Sequence, residues 1–261
     1  MTRTPAAAPS GRRDRAGVCG QGTSFKSVDA LHAMSTTRAI RRFTGDSIPT
    51  EDLAQILFAA SRAPSGSNRQ PWRMLILRDG PKAVAAKRLL GEAFRAAWST
   101  KRAVDGYDRG SGIVEDTPKA RTARAMQHFV DHFEQTPVVI LACLKRYRAA
   151  NPGEGSSVYP AVQNLLVAAR VLGYGGVITG WHADVEPELR ELLGVPSDVA
   201  IHATIPLGRP MGSHGPVRRR PLQELVYEDA WGEAATWAVD PPGTAYTQAG
   251  PPRATPPPAL A

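Results

Sequence analysis

The sequence TRAIRRF at residues 37–43 and the sequence APSGSNRQPW at residues 63–72 decide the fold of this chain. The first contains an Arg-x-x-Arg turn, which supplies fixed positive charge for a phosphate and for an anionic ring edge. The second sets short polar side chains on a backbone that two prolines stiffen. A helix is predicted between the two clusters, and we expect it to bring them close together in one site.

Apolar periodicity predicts the elements around these clusters. Apolar residues from Leu53 to Ala60 recur with helical spacing behind Thr50, which is placed to cap the helix. Residues 103–117 are predicted to form a loop. Helices and strands alternate only in part, so we predict an α+β fold or an α/β sandwich. Further helices are predicted over residues 81–100, 118–134, 156–172 and 187–194, and strands over residues 72–78, 138–144, 175–179 and 201–207.

Composition divides the chain into three parts. Residues 1–33 are rich in Ala, Gly, Ser and Arg without periodicity, and are predicted to form a disordered arm. Residues 240–261 contain seven prolines and are predicted to form a disordered, extended tail whose removal leaves the fold intact. The folded domain is therefore predicted to cover residues 34–239, a suitable length for one domain.

The formal net charge of +8 suggests a nucleic-acid partner, but its distribution argues against one. Residues 1–30 hold five basic and two acidic residues, and Arg218, Arg219 and Arg220 add three more positive charges. The remaining excess of positive charge is small, is spread over the core and is not interleaved with aromatic residues. A phosphate-bearing cofactor explains the clustered arginines better, so we predict no nucleic-acid partner.

Three observations place the protein in the cytoplasm. No apolar run approaches the roughly 18–20 residues of a membrane-spanning helix, so no membrane partner is predicted. The basic residues 12–15 lack the apolar run that follows in a secretion signal. Cys19 and Cys143 lie in unrelated contexts, which indicates no disulfide framework and fits a reducing compartment.

Several motifs that would indicate other chemistry are missing. The sequence GYGG at residues 173–176 follows a predicted helix and precedes a strand, the reverse of the order that a dinucleotide-binding fingerprint needs. There is no P-loop, no G-x-S-x-G elbow and no zinc-ligand spacing. His128 and His132 are interpreted as two surface histidines, and no metal site is predicted.

Taken together, the two clusters resemble the nitroreductase-like flavoproteins, which bind FMN. The resemblance extends over residues 37–231, and its blocks stand in the family's order. It implies a nitroreductase-like fold with a central mixed sheet flanked by helices, and an intertwined homodimer with FMN at the interface. The further blocks that carry it are YPAVQNLL at 159–166, LGYGGVITGW at 172–181, ELLGVP at 191–196, IPLGRP at 205–210 and RRRPL at 218–222.

The resemblance also implies roles for the arginines. Arg38 would bind the FMN phosphate together with Arg219, helped by Arg218 or Arg220. A buried phosphate needs more than one fixed cation, which explains why arginines far apart in sequence would converge. Arg41 would stabilise the negative charge that develops at the pyrimidine edge of the reduced ring.

Other residues of the implied site are small or neutral. Thr179 and Gly180 would place backbone N–H groups near N5 of the flavin, where the hydride arrives. Ala39 belongs to the same site, although many relatives carry serine there, and the glutamate that some members carry near Thr179 is missing. The residues that would line the ribityl chain and the ring are Pro64, Ser65, Asn68 and Gln70.

The activity that this resemblance implies is FMN-dependent oxidoreduction. NADH or NADPH would supply electrons, and a small organic acceptor such as a nitroaromatic or a quinone would take them by a ping-pong mechanism. No catalytic side chain is predicted, because the flavin carries the chemistry. Two alternatives stay open: a specialised branch, such as flavin fragmentation or reductive dehalogenation, and a flavin-binding or sequestering protein without NAD(P)H turnover.

Overall fold

The computed structural model describes residues 28–247 of the chain. Every predicted helix and strand is present in this range, and α1 is an additional helix. The helices are α1 (Ala30–Thr36), α2 (Thr50–Ala60), α3 (Pro81–Val104), α4 (Pro118–Asp131), α5 (Tyr159–Val171) and α6 (Glu186–Leu193). The strands are β1 (Trp72–Leu77), β2 (Val138–Lys145), β3 (Gly175–Gly176) and β4 (Val199–Gly208).

The four strands form one sheet in the order β1-β2-β4-β3, with antiparallel pairing throughout. Helices packed on an antiparallel sheet make an α+β fold, as predicted. For the sheet within residues 28–247 the prediction of mixed strand pairing is wrong, since all three of its strand pairs are antiparallel.

The central strand β2 separates two hydrophobic clusters. Its alternate side chains point to opposite faces, so Ile140 packs with α2 and α5 while Leu141 packs with α3 and α6. All of β2 except Lys145 is buried, which confirms the prediction from its uninterrupted apolar run. Burial of each such aliphatic side chain contributes about 1.5–3 kcal/mol.

The start of α2 differs from its prediction. Thr50 is the first helical residue and Pro49 occupies the capping position, without a side-chain capping bond. The Thr50 hydroxyl instead accepts a hydrogen bond from Arg78 Nη1 at 3.2 Å. Glu51 and Asp52 lie in the first turn, where the helix dipole favours negative charge.

Glycine ends α5 as predicted. Gly173 has a φ of +82°, and the N–H of Tyr174 donates to the carbonyl oxygen of Ala169 at 2.8 Å. This left-handed turn closes the helix and sends the chain directly into β3. The strand is shorter than predicted, because after Gly176 only Thr179 pairs again with β4, through a single bridge to Thr204.

The predicted boundaries of the folded domain need two corrections. Residues 30–33 belong to α1 rather than to a disordered arm, because Asp29 caps that helix through hydrogen bonds from the N–H groups of Leu31 and His32. At the other end, Tyr246 pairs with Arg219, so part of the predicted tail packs on the domain. The remaining predicted arm and tail, residues 1–27 and 248–261, lie outside the described residues. None of the helices between residues 28 and 247 is long and apolar enough to cross a membrane.

Candidate functional site

Residues 37–43, here called the arginine segment, lie along one edge of the sheet. The N–H of Ile40 donates to the carbonyl oxygen of Gly176 at 2.9 Å, and the N–H of Met211 donates to the carbonyl oxygen of Arg42 at 3.0 Å. The segment is therefore held on both sides by backbone hydrogen bonds, from β3 and from the chain that leaves β4. This fixes its arginines more firmly than a surface turn would.

The chain after β4 returns to the arginine segment. The N–H of Val217 donates to the carbonyl oxygen of Ser35 at 3.0 Å, which brings the next two residues, Arg218 and Arg219, toward Arg38. Arginines that lie about 180 residues apart in sequence thus meet in one place.

These elements enclose a cleft of about 990 Å³, here called the arginine cleft. Ala39 lines it, and no aspartate or glutamate does so in the described chain. None of its six arginines forms a salt bridge with any described residue. So many fixed positive charges without a counter-charge favour a multiply charged anion. The arginines that line the cleft are Arg38, Arg41, Arg42, Arg121, Arg218 and Arg219.

Arg41 is the most shielded of the predicted site arginines. Burial lowers the pKa of its guanidinium; Tyr107 opposes this effect and the positive charge of Arg38 adds to it. Arg41 stays protonated at any physiological pH, because an arginine pKa starts above 12. Its charge is thus permanent and poorly solvated, which suits it to stabilising an anion directly.

The three consecutive arginines at the carboxyl end separate into two roles. Arg218 and Arg219 line the arginine cleft, whereas Arg220 does not. Arg220 Nη1 lies 3.6 Å from Oε2 of Glu224, four residues further along the chain. Of the two helpers considered for Arg219, the geometry therefore favours Arg218.

Residues 63–71, here called the proline loop, have an unusual backbone. Ser67, Asn68 and Gln70 have φ values of +51°, +52° and +49°, in the left-handed region that non-glycine residues rarely adopt. The Ser65 hydroxyl stabilises this shape by accepting a hydrogen bond from the Gln70 N–H at 2.9 Å, and Gln70 Nε2 donates to Asn68 Oδ1 at 3.1 Å. A strained, exposed loop held by its own polar side chains is typical of a binding element.

The proline loop does not reach the arginine cleft of the same chain. Trp72, directly after the loop, pairs with Leu144, which pairs with Ala200 at the start of β4. Gly175, beside the arginine segment, pairs with Gly208 at the end of β4. The two clusters thus lie at opposite edges and opposite ends of the sheet, about 25 Å apart along the strands and about 14 Å across them. The expectation that α2 brings them together within one chain is wrong, because the chain after α2 enters the sheet at its far edge.

The Thr179 and Gly180 backbone N–H groups differ in availability. The N–H of Thr179 donates to the carbonyl oxygen of Thr204 at 3.0 Å, so it is already used within the sheet. Gly180 is exposed, and among the described residues no acceptor is within hydrogen-bonding distance of its N–H. Only the N–H of Gly180 stays available for the role predicted for the pair, and neither residue lines the arginine cleft.

The glycines of β3 serve packing. A Cβ atom on Gly175 would come within 2.5 Å of Ile40 Cγ1, and one on Gly176 within 2.6 Å of the carbonyl oxygen of Pro206. They let the arginine segment and β4 approach β3 closely. Trp181, which follows this strand, packs edge-on against Phe94 with ring centroids 5.4 Å apart, so it belongs at least partly to the core.

A smaller cleft of about 230 Å³ adjoins the first and shares Arg41 with it. His128 and His132 line it, and their rings stack with centroids 4.2 Å apart. Burial, and then the positive charges of His132 and Arg42, lower the pKa of His128. No group of three or more His, Cys, Asp or Glu residues within residues 28–247 could hold a metal ion.

Sequence reasoning missed one wall of the arginine cleft, the exposed face of α4. Arg42 was not assigned to the site although it stands beside Arg41. Arg121 was not assigned because residues 95–136 matched no family motif. A helical pattern was present, since the residues of α4 that line the cleft recur at intervals of three and four positions. They are Pro118, Arg121, Thr122, Ala125 and Met126.

Comparison with known proteins decides the family. The sequence profile of the nitroreductase family matches residues 34–209. This chain belongs to the nitroreductase family. Within that family it is 30% identical, over 217 residues, to a protein of Thermus thermophilus named NADH dehydrogenase, covering 76% of this chain and 95% of that one.

Two further nitroreductase-family comparisons bear on the site. An iodotyrosine deiodinase from Thermotoga neapolitana is 27% identical over 192 residues, covering 72% of this chain and 91% of that one. A protein from Desulfovibrio desulfuricans, solved in complex with FMN, superposes with a TM-score of 0.54 at 27% identity and covers 78% of this chain and 99% of that one. The predicted family and α+β fold are therefore confirmed.

Proposed function

We propose that this protein is an FMN-dependent oxidoreductase that takes electrons from NADH or NADPH and passes them to a small organic acceptor by a ping-pong mechanism. The observation that carries the proposal is the arginine cleft, where fixed cations converge without a carboxylate. The resemblance to the FMN-bound Desulfovibrio desulfuricans protein supports FMN as the occupant.

The residues of the cleft fit the chemistry of FMN. Its phosphate carries nearly two negative charges at neutral pH and needs more than one guanidinium, which Arg38, Arg218 and Arg219 supply. Arg41 would hold the pyrimidine edge of the ring, where its permanent charge stabilises the anionic reduced form. When bound, FMN would supply the ring that accepts and returns a hydride.

The position of the proline loop supports a homodimer. Pro64, Ser65, Asn68 and Gln70 lie at the opposite corner of the sheet from the arginines, farther away than one mononucleotide reaches. A second copy of the chain would bring its own proline loop against the arginine cleft of the first. We therefore propose an intertwined homodimer with an FMN site at each end of the interface, and a cytoplasmic location.

Reductive dehalogenation is a second candidate function. Its support is the similarity to the iodotyrosine deiodinase of Thermotoga neapolitana. In this chain the acceptor would lie against the α4 wall of the cleft. A flavin-binding protein without turnover is the alternative from a different class, and predicts a bound flavin that neither nucleotide reduces.

The test is a visible absorbance spectrum of the purified protein, followed without oxygen after addition of NADPH and then of NADH. Oxidised flavin bands that bleach with either nucleotide support the proposal. The acceptor then follows from reoxidation by a nitroaromatic, a quinone or an iodinated phenol. Bands that persist favour binding without turnover, and a protein that takes up no FMN overturns the proposal.

A further inference from the structure

The arginine cleft carries more positive charge than FMN requires. Four of its six arginines, Arg38, Arg41, Arg218 and Arg219, have roles toward the phosphate and the pyrimidine edge under the proposed function. Arg42 and Arg121 have none. No carboxylate of the described chain lines the cleft, so these two guanidinium groups add positive charge that no group of the proposed FMN site balances.

Arg42 and Arg121 lie on the side of the cleft that α4 forms. Arg121 projects from the α4 face that lines the cleft. Arg42 lies close enough to His128, also on α4, for its charge to act on that ring. Arg38 lies on the other side, where its charge acts on His214 of the returning chain. Arg42 and Arg121 are thus both associated with α4, whereas Arg38 is associated with the returning chain.

A neighbouring arginine on the same helix is, by contrast, paired by the protein. Arg124, three residues after Arg121 on α4, forms a salt bridge to Asp116, with Nη2 3.4 Å from Oδ1. Arg124 does not line the cleft. Neither Arg42 nor Arg121 forms a salt bridge or a side-chain hydrogen bond to any described residue. Water or an anion can complete the hydrogen bonding of these two guanidinium groups, and the lining of the cleft, which contains no carboxylate of the described chain, favours an anion.

The α4 wall also offers an apolar surface. Ala125 lies one turn beyond Arg121, Met126 lies one turn beyond Thr122, and both line the same cleft. An organic molecule with an apolar body and one anionic group would match both features, since the body packs on Met126 and the anion pairs with Arg121.

We propose that Arg121, assisted by Arg42, is a specificity-determining residue that binds a carboxylate or phosphate group of the molecule that exchanges electrons with the flavin. This inference rests on the proposed function, since it assumes FMN on the opposite side of the cleft. The shared chemistry is an anionic group held by guanidinium. It comes either from an acidic acceptor or from the additional phosphate that distinguishes NADPH from NADH.

Equilibrium binding to the oxidised flavoprotein tests this without turnover. The probes are 4-nitrobenzoate against the uncharged 4-nitrobenzyl alcohol, and NADP⁺ against NAD⁺, each followed by the change in the flavin spectrum. The wild-type protein should bind the more anionic member of one pair about tenfold more tightly, as expected for one charge-assisted hydrogen bond. Arg121→Gln should lose that preference and leave the affinity for the less charged member unchanged.

Arg124→Gln is the matched control, because it removes a paired arginine from the same helix outside the cleft. It should keep the wild-type preference, and Arg42→Gln should reduce it.

Loss of the nitrobenzoate preference in Arg121→Gln assigns the anion to the acceptor, and loss of the NADP⁺ preference assigns it to the nucleotide. Unchanged preferences in Arg121→Gln overturn the inference while the flavin spectrum leaves the proposed function standing. Loss of FMN from Arg121→Gln also overturns it, because Arg121 would then hold the cofactor. A wild-type protein that takes up no FMN overturns the proposed function itself.

Discussion

The N–H of Ile40 donates a hydrogen bond to the carbonyl oxygen of Gly176 at 2.9 Å, and this contact joins the arginine segment to the shortest strand of the sheet. The approach is so close that β3 has no room for side chains. The position of every arginine in the segment therefore depends on two glycines that touch no ligand in the proposed site.

The first prediction concerns this packing. Gly176→Ala should destabilise the fold by about 1–3 kcal/mol, because the new Cβ would meet the backbone carbonyl of Pro206, which cannot move aside easily. Thermal unfolding followed by circular dichroism measures the effect. Gly180→Ala is the control, since nothing lies within 4 Å of a Cβ at that position. Equal melting temperatures for the two variants would contradict the packing role.

The second prediction concerns the phosphate. Arg38→Ala should release FMN during purification, with a dissociation constant raised about tenfold or more, because a charge-assisted hydrogen bond contributes about 1.5–3 kcal/mol. The ratio of flavin to protein absorbance measures occupancy. Arg220→Ala should keep its flavin, since Arg220 pairs with Glu224 outside the cleft. Full occupancy in Arg38→Ala would show that the phosphate lies elsewhere.

The third prediction concerns the carboxyl-terminal chain. The sequence predicted a tail after residue 240 whose removal leaves the fold intact, but Ala245 lines the cleft and the N–H of Thr247 donates to the carbonyl oxygen of Arg219 at 3.1 Å. Truncation after Asp240 should therefore weaken FMN binding, because it frees Arg219. Truncation after Thr247 should not. Titration of each truncated apoprotein with FMN, followed by flavin fluorescence, compares their affinities for FMN. Equal affinities would show that residues 241–247 contribute nothing to FMN binding.

The fourth prediction concerns alkaline pH. The Tyr174 hydroxyl donates to Asp52 Oδ2 at 2.6 Å, and burial, followed by that carboxylate, raises the pKa of Tyr174 to about 12. The unfolded tyrosine ionises near pH 10, so its contribution to stability is complete below pH 10 and is lost as the pH rises to 12. Between these pH values the free energy of unfolding of the wild-type protein should fall by about 2–3 kcal/mol relative to that of Tyr174→Phe, measured by denaturant unfolding. Parallel pH profiles for the two proteins would show that the hydroxyl is not buried with the carboxylate.

The sequence predicted the elements well where local physics decides them. Apolar runs and helical spacing located β2 and α5, and Gly173 marked a helix end because only a left-handed turn fits there. The predicted start of α2 was wrong because Pro49 and Thr50 are both acceptable at a helix start, and the spacing of apolar residues does not distinguish them.

The site was predicted only in part, because its assembly depends on the sheet. Motifs identified Arg38 and Arg41, but no local pattern shows that the proline loop enters the sheet at the opposite corner. Strand order follows from long-range pairing, which a sequence motif does not encode. Arg121 was missed for another reason: a helix face becomes a cleft wall only through what stands opposite it.

The separation of the arginine cleft from the proline loop has a consequence for how the protein keeps its cofactor. If each flavin is held by halves from two copies, its retention follows mass action between subunits as well as the affinity of the site. Dilution that dissociates the two copies would then release FMN even though the arginines that bind its phosphate are unchanged. The cell would set the fraction of active enzyme partly through how much of the protein it makes.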